Sequence, residues 1–321
     1  MAAMEKEPNP LVSTALVFPG QGSQFVGMGQ DLAQAYPSVR SLYDQADEIL
    51  GFDLSGLCFE GPKETLDDTI NTQPAIFCTS IAVLRALETA GTLPAPAMVA
   101  GHSLGELTAL VAAGAVDFAD GLVLVRERGR LMKLAGRRSP GSMAAVLKMD
   151  DSVVEKACQE AQEETGQPVQ IANYNSPGQV VLSGDDTALA RAIELLREQG
   201  GRRIIPLAVS IAAHSPLMAT VVAEYRAAVE KTPMRVPDTP VVANISARPL
   251  NSIAEIRDEL AGQLTWPVRW TDSVQWMIEQ GVTRIVEIGP KDVLCKLVRR
   301  IDRSTEAISI GDAPSIRSLF S

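Results

Sequence analysis

Short apolar runs alternate with longer stretches of helical periodicity along most of the chain. Residues 13–18 form an apolar run that ends at a glycine turn, and residues 96–101 form a second run of the same kind. Residues 31–90 are predicted to be helical, with interruptions at Gly51 and at Gly61 and Pro62. Because the order of strand, glycine turn and helix recurs, we expect an α/β fold whose parallel sheet is covered on both faces.

The pattern changes between residues 140 and 209. Strands are predicted at 143–149, 169–173, 179–183 and 202–209, and helices at 151–164 and 186–199. This β-α-β-β-α-β order is that of a ferredoxin-like α+β unit, which we place as a small inserted domain at 140–209. The large α/β domain then comprises 14–139 and 210–321, with strands at 241–244 and 284–288, and residues 1–13 form an N-terminal extension. A cleft between two such domains is a common place for a ligand site.

Composition narrows the class of protein. The chain has 321 residues, of which 46% are hydrophobic, so it can bury a full core. Its net charge of -10 argues against nucleic acid as a partner. The first ten residues lack the apolar core of a signal peptide, and no apolar run approaches the roughly 18 residues of a membrane span. We therefore expect a cytoplasmic protein with no membrane partner.

The same composition limits the kinds of site. Two histidines are too few for a His-rich metal centre, so we expect no metal. The four cysteines are far apart and are predicted to be reduced packing residues. The glycines after the first strand fit neither a dinucleotide fingerprint nor a phosphate-binding loop, and we expect no cofactor.

Ser103 is the first candidate for chemistry. It lies in a Gly-x-Ser-x-Gly sequence between an apolar strand and a helix, which is the context of a nucleophile elbow, although a serine in a glycine-rich loop would look the same. A serine nucleophile needs a base that takes its proton. His102 is adjacent in the turn and would point away, so His214 is the remaining imidazole. The hypotheses for Ser103 and His214 therefore stand or fall together.

Arg128 is the second candidate. Its helical neighbours Leu124, Leu131 and Met132 are apolar, so the guanidinium projects from an apolar face and needs an anionic partner. The pattern leaves open whether that partner is a ligand or an internal Asp or Glu. Arg126 is a weaker candidate by the same criterion. Other arginines of this helix are predicted to be solvated: Arg130, Arg137 and Arg138.

Taken together, six features resemble the malonyl-CoA:acyl carrier protein transacylase family of bacterial fatty-acid synthesis, and also the discrete acyltransferases of polyketide synthases. In chain order they are FPGQGSQ at 18–24, GHSLGE at 101–106, RERG at 126–129, NYNSPGQ at 173–179, His214, and QLTWPVRW at 263–270. The resemblance runs from about residue 14 to about residue 310. It implies a hydrolase-like α/β large domain with a ferredoxin-like insertion, and transfer of a malonyl group from malonyl-CoA to the phosphopantetheine thiol of an acyl carrier protein.

The resemblance also implies roles for particular residues. Ser103 would be the nucleophile and His214 the base, with the main-chain carbonyl of Gln263 orienting the histidine. The backbone N–H groups of Gln21 and Leu104 would form the oxyanion hole. The residues expected to bind substrate are Arg128, which would grip the malonyl carboxylate, and Gln21, His102, Asn173 and Asn175.

Several alternatives stay open from the sequence. A serine hydrolase or thioesterase would share the elbow and the base, and a scaffold that only docks a carrier would need neither. Ala213 precedes His214 where relatives often carry Ser or Phe, so a branched extender unit is an alternative to malonyl. The carrier could serve fatty-acid synthesis, a polyketide pathway or a malonate decarboxylase. We expect a monomer. Lys291, Arg299 and Arg300 are candidates for docking an acidic carrier, although a solvated surface is the more common explanation of such residues.

Overall fold

The computed structural model of the chain describes residues 13–320 except Pro94, Ala208 and Ser210, so the predicted N-terminal extension lies outside the described residues apart from Ser13. The strands of the described part are β1 (Thr14–Phe18), β2 (Met98–Gly101), β3 (Ser142–Leu147), β4 (Val169–Ser176), β5 (Gln179–Gly184), β6 (Arg203–Pro206), β7 (Val241–Val242), β8 (Pro249–Leu250), β9 (Arg284–Ile288) and β10 (Glu306–Ile310). Its first seven helices are α1 (Gln30–Ala35), α2 (Pro37–Leu50), α3 (Leu54–Glu60), α4 (Lys63–Leu66), α5 (Thr69–Ala90), α6 (Gly105–Ala112) and α7 (Phe118–Arg138). The remaining helices are α8 (Asp151–Thr165), α9 (Asp186–Glu198), α10 (Ala219–Lys231), α11 (Ile253–Gln263), α12 (Trp270–Glu279), α13 (Val293–Ile301) and α14 (Ala313–Arg317).

The larger sheet has the strand order β10-β9-β1-β2-β7-β8. Neighbouring strands from β10 to β7 run parallel, and only the edge strand β8 pairs antiparallel within this described sheet. Leu16 and Phe18 of β1 pack into a core with α5 and α7, whereas Ala15 and Val17 pack on the opposite face with α12 and α13. This alternation follows from the two-residue period of a strand and places helices on both faces. The predicted α/β class with a parallel-sheet core is confirmed.

A separate antiparallel sheet has the order β4-β5-β3-β6. Helices α8 and α9 cover one face of it, and their buried residues include Val154, Leu189 and Leu196. The sixth strand ends at Pro206, three residues before the predicted end. It ends there because the Val209 N–H folds back to the carbonyl oxygen of Leu207, 2.8 Å away, and leaves the ladder.

Strand β4 joins this sheet to the loop that follows α11. The Val268 N–H donates to the carbonyl of Ala172 at 2.8 Å, and the Tyr174 N–H donates to the carbonyl of Val268 at 2.9 Å. The register of β4 against β5 shifts twice, between Ile171 and Asn173 and between Tyr174 and Ser176. Such irregularities change the direction of the side chains beside them. The antiparallel sheet therefore contacts this loop along the part of β4 that carries Asn173 and Asn175.

The turn between β2 and α6 depends on two glycines. A Cβ on Gly101 would lie 1.9 Å from the backbone of Gly105, and a Cβ on Gly105 would lie 2.1 Å from the carbonyl oxygen of Phe18. Neither distance can accommodate a methyl group, and backbone atoms cannot rotate away as a side chain can. The glycines therefore allow helix α6 to begin directly against β1 and β2.

We expect Gly101→Ala to reduce the free energy of unfolding by about 2 to 3 kcal/mol, because the added methyl group overlaps the Gly105 backbone. Gly262→Ala is the matched control. Gly262 lies in helix α11, and a methyl group added there would meet only the flexible end of the Ile245 side chain, at 3.1 Å. The control should change stability by less than about 1 kcal/mol. Urea unfolding followed by circular dichroism measures both variants, and equal losses would contradict the steric argument.

Candidate active site

Ser103 occupies the turn between β2 and α6 in a strained conformation. Its φ is 54°, in the left-handed region that non-glycine residues seldom adopt. Its N–H donates to Asn244 Oδ1 at 2.7 Å, and its Oγ lies 2.8 Å from His214 Nε2. The turn thus presents the hydroxyl to an imidazole that lies 111 residues further along the chain.

His214 is held by a second hydrogen bond on its far side. Its Nδ1–H donates to the main-chain carbonyl of Gln263 at 2.7 Å, which leaves the lone pair of Nε2 facing Ser103 Oγ. The backbone of His214 is also left-handed, with φ of 56°. The imidazole is therefore placed to accept the serine proton.

Burial, and then the nearby charge of Arg128, lower the pKa of His214 from 6.5 to about 3. Both causes disfavour the imidazolium, because a buried cation loses hydration and is repelled by a second cation. The resting histidine is neutral near pH 7, which is the form that a general base requires.

Arg128 lies beside this pair and is only 2% exposed. Its Nη1 donates to Gln73 Oε1 at 2.8 Å, and its Nη2 donates to Gln263 Oε1 at 2.6 Å and to Ser103 Oγ at 3.1 Å. Within the described residues the guanidinium forms no ion pair with an Asp or Glu. The sequence left open whether Arg128 pairs with a ligand or with an internal Asp or Glu, and no such carboxylate partner is found among the described residues. The acceptors that it has, on Gln73, Gln263 and Ser103, are all uncharged.

These groups border a cavity of about 250 Å³. Eight of the nine predicted site residues line it, namely Gln21, His102, Ser103, Leu104, Arg128, Asn173, Asn175 and His214. Gln263 lies behind this wall and contacts both His214 and Arg128. Away from the polar groups the wall is apolar and includes Met132, Met143, Ile211 and Leu297. The cavity therefore combines one charged group, the guanidinium of Arg128, with largely apolar walls.

Gln21 and Leu104 line this cavity, and their backbone N–H groups have no acceptor among the described residues. Gln21 follows strand β1, and Leu104 immediately precedes helix α6. The Gln21 side chain is fixed separately, since its Oε1 accepts from the hydroxyl of Thr69 at 2.8 Å. Backbone N–H groups of this kind, one of them at a helix start, can stabilise a negatively charged oxygen.

His102 does not serve Ser103. Its Nε2 lies 2.8 Å from Asn175 Oδ1, and its ring meets Trp270 edge to face with 5.7 Å between centroids. Burial lowers the pKa of His102, so this ring is a neutral wall of the cavity. Asn173 is buried on β4, the strand that carries Asn175, and it also lines the cavity.

The weaker cationic candidates lie elsewhere. Arg126 Nη1 donates to the carbonyl of Ile70 and to Asn71 Oδ1, both at 2.6 Å, outside the lining of the cavity. Among the docking candidates, Lys291 donates to the carbonyl of Gly22, Arg299 to the carbonyl of Ala307, and Arg300 to the side-chain oxygen of Gln179. Only the last of these acceptors belongs to a residue that lines the cavity.

The sequence interpretation assigned no role to three polar residues that the structure places here. Gln73 accepts from Arg128, Asn244 accepts from the Ser103 N–H, and Glu106 accepts from both Asn244 and Gln263. A buried glutamine in the apolar helix α5 was one available signal. An asparagine two residues after β7 was another, because ligand sites form at the carboxyl ends of parallel strands.

Among residues 13–320 as described, no three or more His, Cys, Asp or Glu side chains are grouped in a way that could hold a metal ion. No helix in this part of the chain is long and apolar enough to cross a membrane. Cys58, Cys78, Cys158 and Cys295 are buried free thiols.

Comparison with known proteins places the chain in a family. The acyl transferase domain model matches residues 15–311. The malonyl CoA-acyl carrier protein transacylase of Bacillus subtilis is 43% identical over 302 residues, which cover 94% of this chain and 94% of that protein. The chain belongs to the acyl transferase family. The Escherichia coli K12 acyltransferase of the same name is 43% identical over 298 residues, covering 93% of this chain and 96% of that protein.

Solved acyltransferase structures agree with this membership. A malonyl-CoA:acyl carrier protein transacylase from Xanthomonas oryzae has a TM-score of 0.92 at 44% identity, covering 96% of this chain and 97% of that one. A malonyl-transacylase in complex with a type II polyketide synthase acyl carrier protein has a TM-score of 0.92 at 40% identity, covering 95% and 98%. The likeness therefore extends over both sheets of this acyltransferase.

The chain has two histidines, so the lowered pKa of His214 can be tested directly by NMR of histidine-labelled protein. We expect the His214 ring to stay neutral over about pH 5 to 8. The pKa of His214 is lower in the folded state than in the unfolded state, so the unfolded state binds a proton more readily at acid pH. His214 therefore makes the free energy of unfolding fall as the pH drops from about 6.5 to about 3. Arg128→Leu should raise the His214 pKa without restoring its usual value, because burial is the larger cause. A wild-type midpoint near 6.5 would contradict the prediction.

Proposed function

We propose that this chain transfers a malonyl group from malonyl-CoA to the phosphopantetheine thiol of an acyl carrier protein, through an ester on Ser103. One observation carries the proposal: a buried guanidinium without a carboxylate partner lies 3.1 Å from a serine that is hydrogen-bonded to a neutral histidine. The serine and histidine supply acyl transfer, and the free positive charge selects an acyl group with its own carboxylate. The names of the relatives support the same reaction.

In the first half-reaction Ser103 Oγ attacks the thioester carbonyl while His214 Nε2 takes the hydroxyl proton. The resulting oxyanion accepts hydrogen bonds from the N–H groups of Gln21 and Leu104. Collapse of this tetrahedral intermediate breaks the carbon–sulfur bond. The coenzyme A thiolate leaves and receives the proton from His214.

The second half-reaction reverses these roles with a different thiol. The phosphopantetheine thiol gives its proton to His214 Nε2 and attacks the ester carbonyl. The same two N–H groups stabilise the second oxyanion, and Ser103 Oγ leaves with the proton from His214. The carbonyl of Gln263 keeps the imidazole in one tautomer and orientation throughout.

Arg128 provides acyl selectivity in this proposal. A guanidinium can bind a carboxylate through two parallel, charge-assisted hydrogen bonds. An acetyl group offers no such partner and would leave the buried cation unpaired, which disfavours it more than a change in pocket size would. Gln21, His102, Asn173 and Asn175 complete the wall that binds the substrate.

We also propose a finer description of the fold. The strand order of the antiparallel sheet, numbered within the unit, is 2-3-1-4 with two helices on one face, which supports a ferredoxin-like domain at 140–209. The segments 14–139 and 210–321 form the hydrolase-like large domain. Its serine turn between a strand and a helix supports that description.

The partners are malonyl-CoA and an acyl carrier protein, and the protein acts as a monomer in the cytoplasm. The related complex with a carrier supports the second partner. Arg300 and Lys291 are the more favourable docking candidates, since their contacts lie beside the cavity, at Gln179 and Gly22. Arg299 instead contacts strand β10.

The covalent step predicts that labelled malonyl-CoA leaves a stable label on the wild-type protein. Ser103→Ala should abolish the label because no oxygen remains to form the ester. His214→Ala should reduce labelling near neutral pH by about 10²-fold or more, because the base is lost. Mass spectrometry of the intact protein gives the readout, with Ser38→Ala as a surface control. Rapid release of free malonate would instead favour a hydrolase, and no wild-type label would refute both functions.

Arg128→Ala should lower kcat/KM for malonyl-CoA by about 10²- to 10⁴-fold, because two charge-assisted hydrogen bonds to the carboxylate are lost. Acetyl loading should be kept or increased. Arg130→Ala is the matched control on the same helix, where the arginine is solvated and pairs with Glu127. A panel of malonyl-, methylmalonyl- and acetyl-CoA, with purified carrier as acceptor, measures the preference. An unchanged malonyl preference in Arg128→Ala would remove Arg128 from this role.

A further inference from the structure

Glu106 is a buried carboxyl that the mechanism above does not use. It lies in the first turn of α6, three residues after Ser103, and is fully buried. Its Oε1 accepts from the backbone N–H of Asn244 at 2.8 Å and from Asn244 Nδ2 at 3.2 Å, and its Oε2 accepts from Gln263 Nε2 at 2.5 Å. A buried carboxyl with three donors is costly to assemble unless its position matters.

The side-chain amide of Gln263 lies between groups of opposite hydrogen-bonding character. Its Nε2 donates to Glu106 and to the carbonyl of Ser103 at 3.0 Å, while its Oε1 accepts from Arg128 Nη2. A guanidinium can only donate, so it faces the amide oxygen, and Glu106 Oε2 accepts from the amide nitrogen. The carboxyl and the carbonyl of Ser103 thus hold the nitrogen end of the amide, which keeps the oxygen end towards Arg128.

We propose that Glu106 is a positioning residue, which fixes the amide of Gln263 and thereby aims Arg128 at the malonyl carboxylate. This role rests on the proposed function of Arg128. It is distinct from the orientation of His214, which uses the main-chain carbonyl of Gln263 and not its side chain.

The electrostatic surroundings agree with this arrangement. Burial and the neighbouring carboxyl of Glu259 raise the pKa of Glu106, whereas the hydrogen bonds from Asn244 and Gln263 and the charge of Arg128 act in the opposite direction. Gln263 keeps the carboxyl and the guanidinium apart. Arg128 is therefore linked to the carboxyl through the amide of Gln263 and not by a direct ion pair.

Glu106→Gln tests the proposal because it changes hydrogen-bonding character and preserves shape. A glutamine has one acceptor oxygen, which Asn244 would occupy with its two donors. The new NH₂ would then face Gln263 Nε2, so the Gln263 amide would lose its hydrogen bond to residue 106 and be displaced from its position against Arg128. We expect the KM for malonyl-CoA to rise about tenfold or more, with a smaller change in kcat.

A double-mutant comparison separates positioning from general damage to the fold. In an Arg128→Ala background assayed with acetyl-CoA, adding Glu106→Gln should have no further effect. Gln263→Leu keeps the main-chain carbonyl and should reproduce the rise in KM, and combining it with Glu106→Gln should not add to that rise. Glu287→Gln is the control, because Glu287 is a fully buried carboxyl that accepts from the N–H groups of Leu294 and Cys295.

Two results would overturn the proposal. One is a loss of acetyl transfer, when Glu106→Gln is added to Arg128→Ala, as large as the loss of malonyl transfer that Glu106→Gln causes alone. That result would show a merely structural role. The other is a crystal structure of Glu106→Gln in which Gln263 Oε1 still accepts from Arg128 at the wild-type distance. That second readout does not depend on acyl preference, so it decides the positioning role even if Arg128→Ala refutes the proposed function. Should Glu106→Gln fail to fold, Glu106→Asp is the alternative variant. It keeps the carboxylate acceptor but moves it away from Gln263 by the length of one methylene group, and it should also raise the KM for malonyl-CoA.

Discussion

A guanidinium buried without a carboxylate partner is the constraint on which this site depends. Arg128 donates to the oxygens of Gln73, Gln263 and Ser103, which satisfy its hydrogen bonds but carry no compensating charge. Burial of a charge is costly unless it is paired, so a site of this kind is most stable with an anion bound. Burial and, after it, the same charge lower the pKa of His214, which keeps the imidazole neutral.

Gln263 connects the two halves of the chemistry. Its main-chain carbonyl holds His214, and its side chain stands between Arg128 and Glu106. The residue ends helix α11, and the loop that follows is hydrogen-bonded to β4 through Val268. A displacement of this segment would therefore disturb the base, the guanidinium and the cavity wall together.

The parallel sheet explains how distant segments reach a single cavity. Gln21, Ser103 and Asn244 each follow the carboxyl end of a strand, β1, β2 and β7, and parallel strands bring these ends to one edge. The antiparallel sheet adds Asn173 and Asn175 from the opposite side. Ser103 and the Gln263 side chain are hydrogen-bonded although 160 residues separate them.

The sequence by itself determined the features that depend on neighbouring residues. Glycine spacing predicted the turn at Ser103, the apolar neighbours of Arg128 predicted its burial, and the alternation of elements predicted both sheets. Only the tertiary structure decided the partners of Arg128, the part that Gln73 and Asn244 take in the site, and the contact of Glu106 with Gln263. These contacts join residues 25 to 157 positions apart. Helix and strand periods describe one element at a time, so they carry no information about which buried donor will meet which acceptor.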